Sequence, residues 1–497
     1  MVTRRSLLGS LAVSAMGQQR ASSKPNFLFI LADDHAAYIQ GADGNRLART
    51  PHLDQFGSQG MRFAMHHCNA PVCTPSRQSF FTGQLPHAAG VTRLPTPLAD
   101  DKPTLARQFQ KAAYTTAVFG KMHFIKPGVP GIHGLEIAHT EDVIDREWKQ
   151  QKPKREVPQS ARYRKLPWLP LKDPSRLWLN ADALPYPRYD EDMRACFQVR
   201  QAEQFLEQHR DKPFALWVSF MEPHSPFDFP VEYRGKFKPG NFHPPEPGPE
   251  DAWQIPLIFR DLSPADKQGI NAAYYTSVEF LDRNIGRVLA KLAELKLDNN
   301  TLVIYMADHG YDLGQHGRFE KHCGFDPALR VPLIIRFPGR IRSGVVRDLT
   351  EHVDVTATIV DLMQLEPLPI MHGRSLRPYL EGRYIQPRDH IFSEYLENEE
   401  AYIRTERWKF IYCTGKRARK DGYVTEHPTP GRYRILYDLQ ADPGEFHNVV
   451  QKHPGIASTL QGVMLARFRG THPESGDEPR GLSEDEILDW YLRPRDA

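Results

Sequence analysis

Cysteine is scarce in this chain: Cys68, Cys73, Cys196, Cys323 and Cys413 are the five among 497 residues. So small and odd a number argues against a disulfide framework. No CxxC pair is present to hold zinc or to act as a redox couple. At least one thiol is left over, and Cys73 is the candidate. Charge of one sign is lacking too. A formal net charge of +3 is too small at this length for a nucleic-acid partner, and none is expected. No stretch approaches the roughly 20 apolar residues of a membrane-spanning helix, so no transmembrane segment is expected. There is no internal repeat and no low-complexity tract. Hydrophobic content of 40% and charged content of 25% set aside a disordered or fibrous class. Proline, at 42 residues, is plentiful and predicts long irregular connections.

The N-terminus reads as an export signal. Thr3-Arg4-Arg5-Ser6-Leu7-Leu8 resembles a twin-arginine motif, although the usual phenylalanine after the arginine pair is missing. An apolar run over 7–16 and small residues suited to cleavage follow it, and no acidic residue precedes Asp33. Residues 1–23 are therefore assigned to an export signal, and the protein to the periplasm or the exterior.

Four continuous apolar runs have the length of strands buried on both faces. Asn26–Ala32 ends at Asp33-Asp34-His35, and Thr115–Phe119 leads to Gly120-Lys121-Met122-His123. Phe214–Phe220 leads to Glu222-Pro223-His224, and Thr301–Ala307 to Asp308-His309-Gly310. Val331–Arg336 follows as a further strand. Helical patterns lie between them, at Leu105–Ala113, Val199–His209 and Pro264–Leu295. Strands alternating with helices predict an α/β fold with a large, mostly parallel sheet flanked by helices. In such sheets ligands bind beyond the carboxyl ends of the strands, so the four chemistry-bearing ends converge on one crevice. From about Tyr384 the texture turns aromatic and β-branched, at Ala401–Cys413 and Tyr433–Leu439. This predicts a smaller C-terminal α+β subdomain built on an antiparallel sheet. The expected organisation is a catalytic domain over 24–383, the subdomain over 384–470 and a tail over 471–497.

Asp33, Asp34 and Asp308 bring three carboxylates to one place, which is unfavourable unless a cation neutralises them. An oxygen-rich set favours Ca²⁺, or Mg²⁺, over zinc. Cys73 precedes Pro75, and Pro75–Thr82 reads as the first turns of a helix, whose N-terminus favours negative charge near residue 73. Arg77, Lys121 and Lys321 are the candidate cations for stabilising an anion. His35, His66, His67, His316 and His322 crowd the same segments as satisfied loop histidines. Glu222 and Asp312 lie near the motifs without a role. Between Arg146 and Arg176 ten Lys/Arg stand against three Asp/Glu, with Trp148 and Trp168. A solvated surface insertion explains this better than a loop meeting a polyanion.

The core Cys73-x-Pro75-x-Arg77, within Asn69–Gly83, resembles the signature of the type I sulfatases of the alkaline phosphatase superfamily. Leu436-Tyr437-Asp438-Leu439, continuing to Asp442-Pro443, Glu445 and Asn448, resembles their C-terminal landmark. The resemblance runs from Asn26 to Asn448. It implies that Cys73 is oxidised to formylglycine by a maturation enzyme acting on the unfolded chain, so that oxidation precedes twin-arginine export. It implies that Asp33, Asp34, Asp308 and His309 bind Ca²⁺ together with the modified Cys73. His309 stands where many members carry asparagine, and some, including iduronate-2-sulfatase, carry histidine. The hydrated aldehyde would attack sulfur, and its second hydroxyl would let the sulfate ester collapse. His123 resembles the histidine that assists residue 73, and His224 the one that contacts the sulfate and protonates the leaving alcohol. Lys321, in Gly317–His322, matches the family's lysine after the Asp308 loop. The expected activity is hydrolysis of a sulfate monoester on a small molecule or glycan, with a carbohydrate preferred. A phosphonate monoester or phosphodiester hydrolase is the alternative enzyme. A non-catalytic binder of sulfated polymers is the alternative from another class.

Overall fold

The structure, a computed structural model, describes residues 24–159, 162–163, 175–416 and 431–495. The arginine pair Arg4-Arg5 and Trp168 lie outside the described residues.

The main sheet is built from β1 (Asn26–Asp33), β2 (Met61–Phe63), β4 (Thr115–Gly120), β5 (Ile137–Thr140), β6 (Phe214–Pro223), β7 (Thr301–Ala307), β8 (Leu333–Arg336) and β9 (Gly344–Val346). Short strands β3 (His66–His67) and β10 (Thr350–Glu351) pair with each other beside it. Its strand order is β5-β4-β6-β1-β7-β8-β2-β9. From β5 to β7 every neighbour is parallel, and only β8 runs antiparallel to its neighbours β7 and β2.

Burial on both faces follows from the alternation of side chains along each strand. Leu28, Ile30 and Ala32 of β1 face one core with the helices Arg194–His209 and Pro264–Glu294. Phe27, Phe29 and Leu31 face the other, with the helices Leu105–Lys111 and His352–Met363. Ser263 caps the long helix by accepting from the Asp266 N–H, and Pro264 follows at its first position.

A second sheet comprises β11 (His390–Tyr395), β12 (Glu400–Thr405), β13 (Trp408–Cys413) and β14 (Tyr433–Asp438), antiparallel throughout. One face packs on the helices Pro454–Thr471 and Glu484–Tyr491. Beyond residue 471, in the stretch read above as a tail, Leu488 and Tyr491 are buried in this third core. The sheet is joined to the main domain by buried polar contacts. Glu394 donates its N–H to the Asn69 carbonyl at 3.0 Å, and its carboxylate meets His87 at 2.8 Å. Among the described residues no helix is long and apolar enough to cross a membrane.

Candidate active site

Strands β4, β6, β1 and β7 are adjacent and parallel, so their carboxyl ends open on the same edge. That edge carries Lys121 and His123, then His224, then Asp33 and Asp34, then Asp308 and His309. The sequence expectation of one crevice at these ends agrees with this order.

The Cys73–Thr82 helix crosses the same edge, and every one of its residues is buried. It begins two residues earlier than expected, with Cys73 in its first turn. Pro75 fits there because a first-turn N–H has no intrahelical partner to lose. Cys73 Sγ lies 3.5 Å from Asp33 Oδ1 and 3.2 Å from His309 Nε2. Burial works against a thiolate at Cys73. Lys121, Lys321 and His309, with a hydrogen bond from His123, outweigh it and hold the thiol well below its usual range.

Each carboxylate has a cation of its own. Lys121 Nζ donates to Asp33, and Lys321 Nζ reaches both oxygens of Asp34 at 2.7 and 3.0 Å. Arg77 Nε donates to Asp308 Oδ2 at 2.8 Å, while its Nη1 donates to Ser219 Oγ at 2.9 Å and to the Lys121 carbonyl. Burial and the neighbouring Cys73 push Asp33 upward, yet Lys121, His224 and Arg77 prevail and hold it well below the carboxylate range. Asp308 is less well compensated, and burial together with Asp33 raises it to about 6. Burial lowers His309, but Asp308 and Cys73 override it and lift the ring to about 9.

A divalent ion fits this donor set. One ligand atom each from Asp33, Cys73, Asp308 and His309 lie within 4.8 Å of one another, and so do those of Asp33, Asp34, Cys73 and His224. Arg77 Nη2 is buried with no hydrogen-bond partner, 3.6 Å from Asp33 Oδ2. Carboxylates in this number favour a hard cation. His309 Nδ1 stands 3.2 Å from Asp34 Oδ1. His224 Nδ1 is 2.6 Å from the Ser225 carbonyl and donates to it, which turns Nε2 toward Asp34 Oδ2, 4.0 Å away.

The sequence-predicted site residues therefore meet in one place. The neighbouring histidines bond elsewhere: His35 Nδ1 with Tyr305 at 2.5 Å, His66 Nδ1 with Thr350 at 3.0 Å, His316 Nδ1 with Asp251 at 2.9 Å and His322 Nδ1 with Glu320 at 3.1 Å. His67 is 3.1 Å from the Met65 carbonyl. Asp312 accepts from Cys323 at 3.1 Å, a structural contact. The described part of the basic segment forms surface ion pairs, Lys154 with Glu191 and Arg155 with Glu191 and Glu232. Sequence reasoning missed Ser219, which receives Arg77, and Ser76, which donates to the Asp308 carbonyl. A buried serine in a strand or helix carries no local signal of such a role.

Fold and site together define a hydrolase of the alkaline phosphatase superfamily. Residues 25–365 match the sulfatase family model and residues 314–466 match the C-terminal region of N-sulphoglucosamine sulphohydrolase, so the chain belongs to the type I sulfatases and is a sulfuric ester hydrolase. It is 27% identical over 505 residues to a choline-sulfatase of Rhizobium meliloti, covering 95% of this chain and 91% of that one. It is 28% identical over 479 residues to an arylsulfatase of Clostridium perfringens, covering 90% of this chain and 95% of that one. Among solved structures it superimposes on a phosphonate monoester hydrolase from Silicibacter pomeroyi with a TM-score of 0.74. That pair is 25% identical, with coverage of 90% of this chain and 96% of the other.

Proposed function

We propose that this sulfatase hydrolyses a sulfate monoester of a carbohydrate, with residue 73 as nucleophile. The observation that carries the reading is the place of Cys73, at a helix start, between Asp33 and His309 and facing two buried lysines. Oxidised to formylglycine by a maturation enzyme, residue 73 supplies one hydroxyl for attack on sulfur and a second through which sulfate leaves. Asp33, Asp34, Asp308, His309 and residue 73 would hold Ca²⁺, which when bound neutralises the carboxylates and polarises the sulfate. With that ion present, Lys121, Lys321 and Arg77 are left as surplus positive charge for the sulfate oxygens. His123 orients residue 73, and His224, its Nδ1–H tied to Ser225, offers Nε2 to the leaving alcohol. The carbohydrate preference is supported by the match of residues 314–466 to the sulphoglucosamine enzyme's C-terminal region. Residues 1–23 would direct export, with oxidation of Cys73 completed first.

Likeness to the phosphonate monoester hydrolase favours a second reading, in which a phosphonate ester is the better substrate. The test is the ratio of kcat/KM for an aryl sulfate and an aryl phosphonate monoester, on Ca²⁺-loaded protein co-produced with the maturation enzyme. Cys73→Ala is the blank. A ratio favouring sulfate supports the proposal, and one favouring phosphonate overturns it.

A further inference from the structure

We infer that Glu141, which touches neither Cys73 nor the metal ligands, is the positioning residue for His123 on the turn that follows Lys121. Glu141 opens the Glu141–Gln150 helix that follows β5. Its Oε2 accepts the Met122 N–H and its Oε1 the His123 N–H, both at 3.0 Å. From the other side Gln78, on the helix that carries Cys73, donates its amide to the carbonyls of Met122 at 3.1 Å and His123 at 3.2 Å. The backbone donors and acceptors of both residues are thus gripped between two side chains.

The grip is needed because His123 has φ 58°, in the left-handed region that non-glycine residues enter at a cost of roughly 1–2 kcal/mol. Met122 is fully buried and fixes one side of the turn, so the peptide planes decide where His123 points. A carboxylate suits this task, since two diverging N–H groups need two acceptor oxygens. Glutamine offers one acceptor and turns an N–H against the second donor. Negative charge at the start of a helix is also favoured by its dipole. The inference rests on the reading that Lys121 and His123 serve residue 73.

The test uses matured, Ca²⁺-loaded protein and an aryl sulfate. Glu141→Gln is expected to lower kcat at least about tenfold, since displacement of a catalytic group by about 1 Å costs up to about a hundredfold. Asp142→Asn is the control. Asp142 accepts from the Gly128 N–H at 3.2 Å at the same helix start but does not touch that turn, so its loss leaves kcat unchanged. In a His123→Ala background, Glu141→Gln is expected to cost less than about twofold further. Equal losses in both backgrounds, or a matching fall in Asp142→Asn, would overturn the inference. Wild-type protein inactive toward the aryl sulfate fails the functional reading instead. A crystal structure of Glu141→Gln then decides this one without turnover. A displaced His123 ring supports the positioning role, and a ring superimposing on the wild type refutes it.

Discussion

Arg77→Gln strands Asp308 in a dry site, and the cost is measurable without turnover. The guanidinium is fully buried, 2.8 Å from Asp308 Oδ2 and 3.6 Å from Asp33 Oδ2. Asp33 keeps Lys121 as its partner. Asp308 keeps the N–H groups of Asp34 at 3.2 Å and His309 at 2.9 Å, and the His309 ring at 3.6 Å. One unit pair at 4 Å and an effective dielectric of 20 is worth about 4 kcal/mol. Breaking a buried pair from one side costs about 3–5 kcal/mol. The variant is therefore expected to lose about 3–5 kcal/mol of unfolding free energy in EDTA. Ca²⁺ bound as proposed would restore positive charge beside Asp308, so its stabilising effect should be larger in Arg77→Gln than in wild type, by more than about 1 kcal/mol. Urea titration of unoxidised protein, followed by tryptophan fluorescence and far-ultraviolet circular dichroism, reads both quantities. A loss under about 1 kcal/mol in EDTA, or equal calcium increments in the two proteins, would refute the charge-pairing argument.

Other consequences can be checked independently. Lys321→Ala removes the partner of Asp34 and, on the proposed reading, a cation for sulfate, and should cut kcat for an aryl sulfate about 10²–10³-fold with unchanged circular dichroism. Chelation should abolish activity and lower the unfolding midpoint, with Ca²⁺ restoring both better than Zn²⁺; restoration by Zn²⁺ alone would contradict the hard-cation assignment. At Gly120, with φ +110°, an added Cβ would sit 1.9 Å from the Ser219 carbonyl oxygen. Gly120→Ala should therefore destabilise by more than about 2 kcal/mol in urea, and a neutral result would refute the close approach. Burial lowers His67 to about 4 and His352 to about 3. Below about pH 6.5 the unfolded chain takes protons that these folded rings refuse. Their stability is thus complete above that pH and is lost as pH falls, by about 1.4 kcal/mol per unit for each ring. His352→Gln should shallow the slope between pH 6.5 and 5 by about that amount, and an unchanged slope would count against a neutral buried ring.

The catalytic half of the fold was legible because β1, β4, β6 and β7 are buried on both faces and so read as unbroken apolar runs. β8, two residues shorter than the Val331–Arg336 run that announced it, still stood out by Leu333–Ile335. Strands β2, β3, β9 and β10 have two or three residues each, too few for any period to register. In the C-terminal sheet β12, β13 and β14 were visible from their aromatics. β11, His390–Tyr395, was not, because its polar residues resemble a loop until Arg404 and Ile403 pair with it. The helix Glu484–Tyr491 was hidden by its acidic first turn, although its Ser483 cap was there to read.

The site divides along the same physical line. Residues that end a strand are marked by an abrupt change from apolar to charged sequence, and Asp33, Asp34, Lys121, His123, His224 and Asp308 carry that mark, whereas Cys73 stands out by its scarcity and by Pro75 and Arg77 beside it. Which cation answers which carboxylate depends on the order of the strands, and that order pairs residues hundreds of positions apart in the chain. Arg77 and Asp308 are 231 residues apart, and Lys321 and Asp34 are 287 apart. Ser219 and Glu141 lie further from legibility still. Each acts by gripping another residue's side chain or backbone, an arrangement that exists only once β4, β5 and β6 lie side by side. The charge balance that makes three buried carboxylates tolerable is therefore a property of the topology, expressed through residues whose chemical types alone the sequence displays.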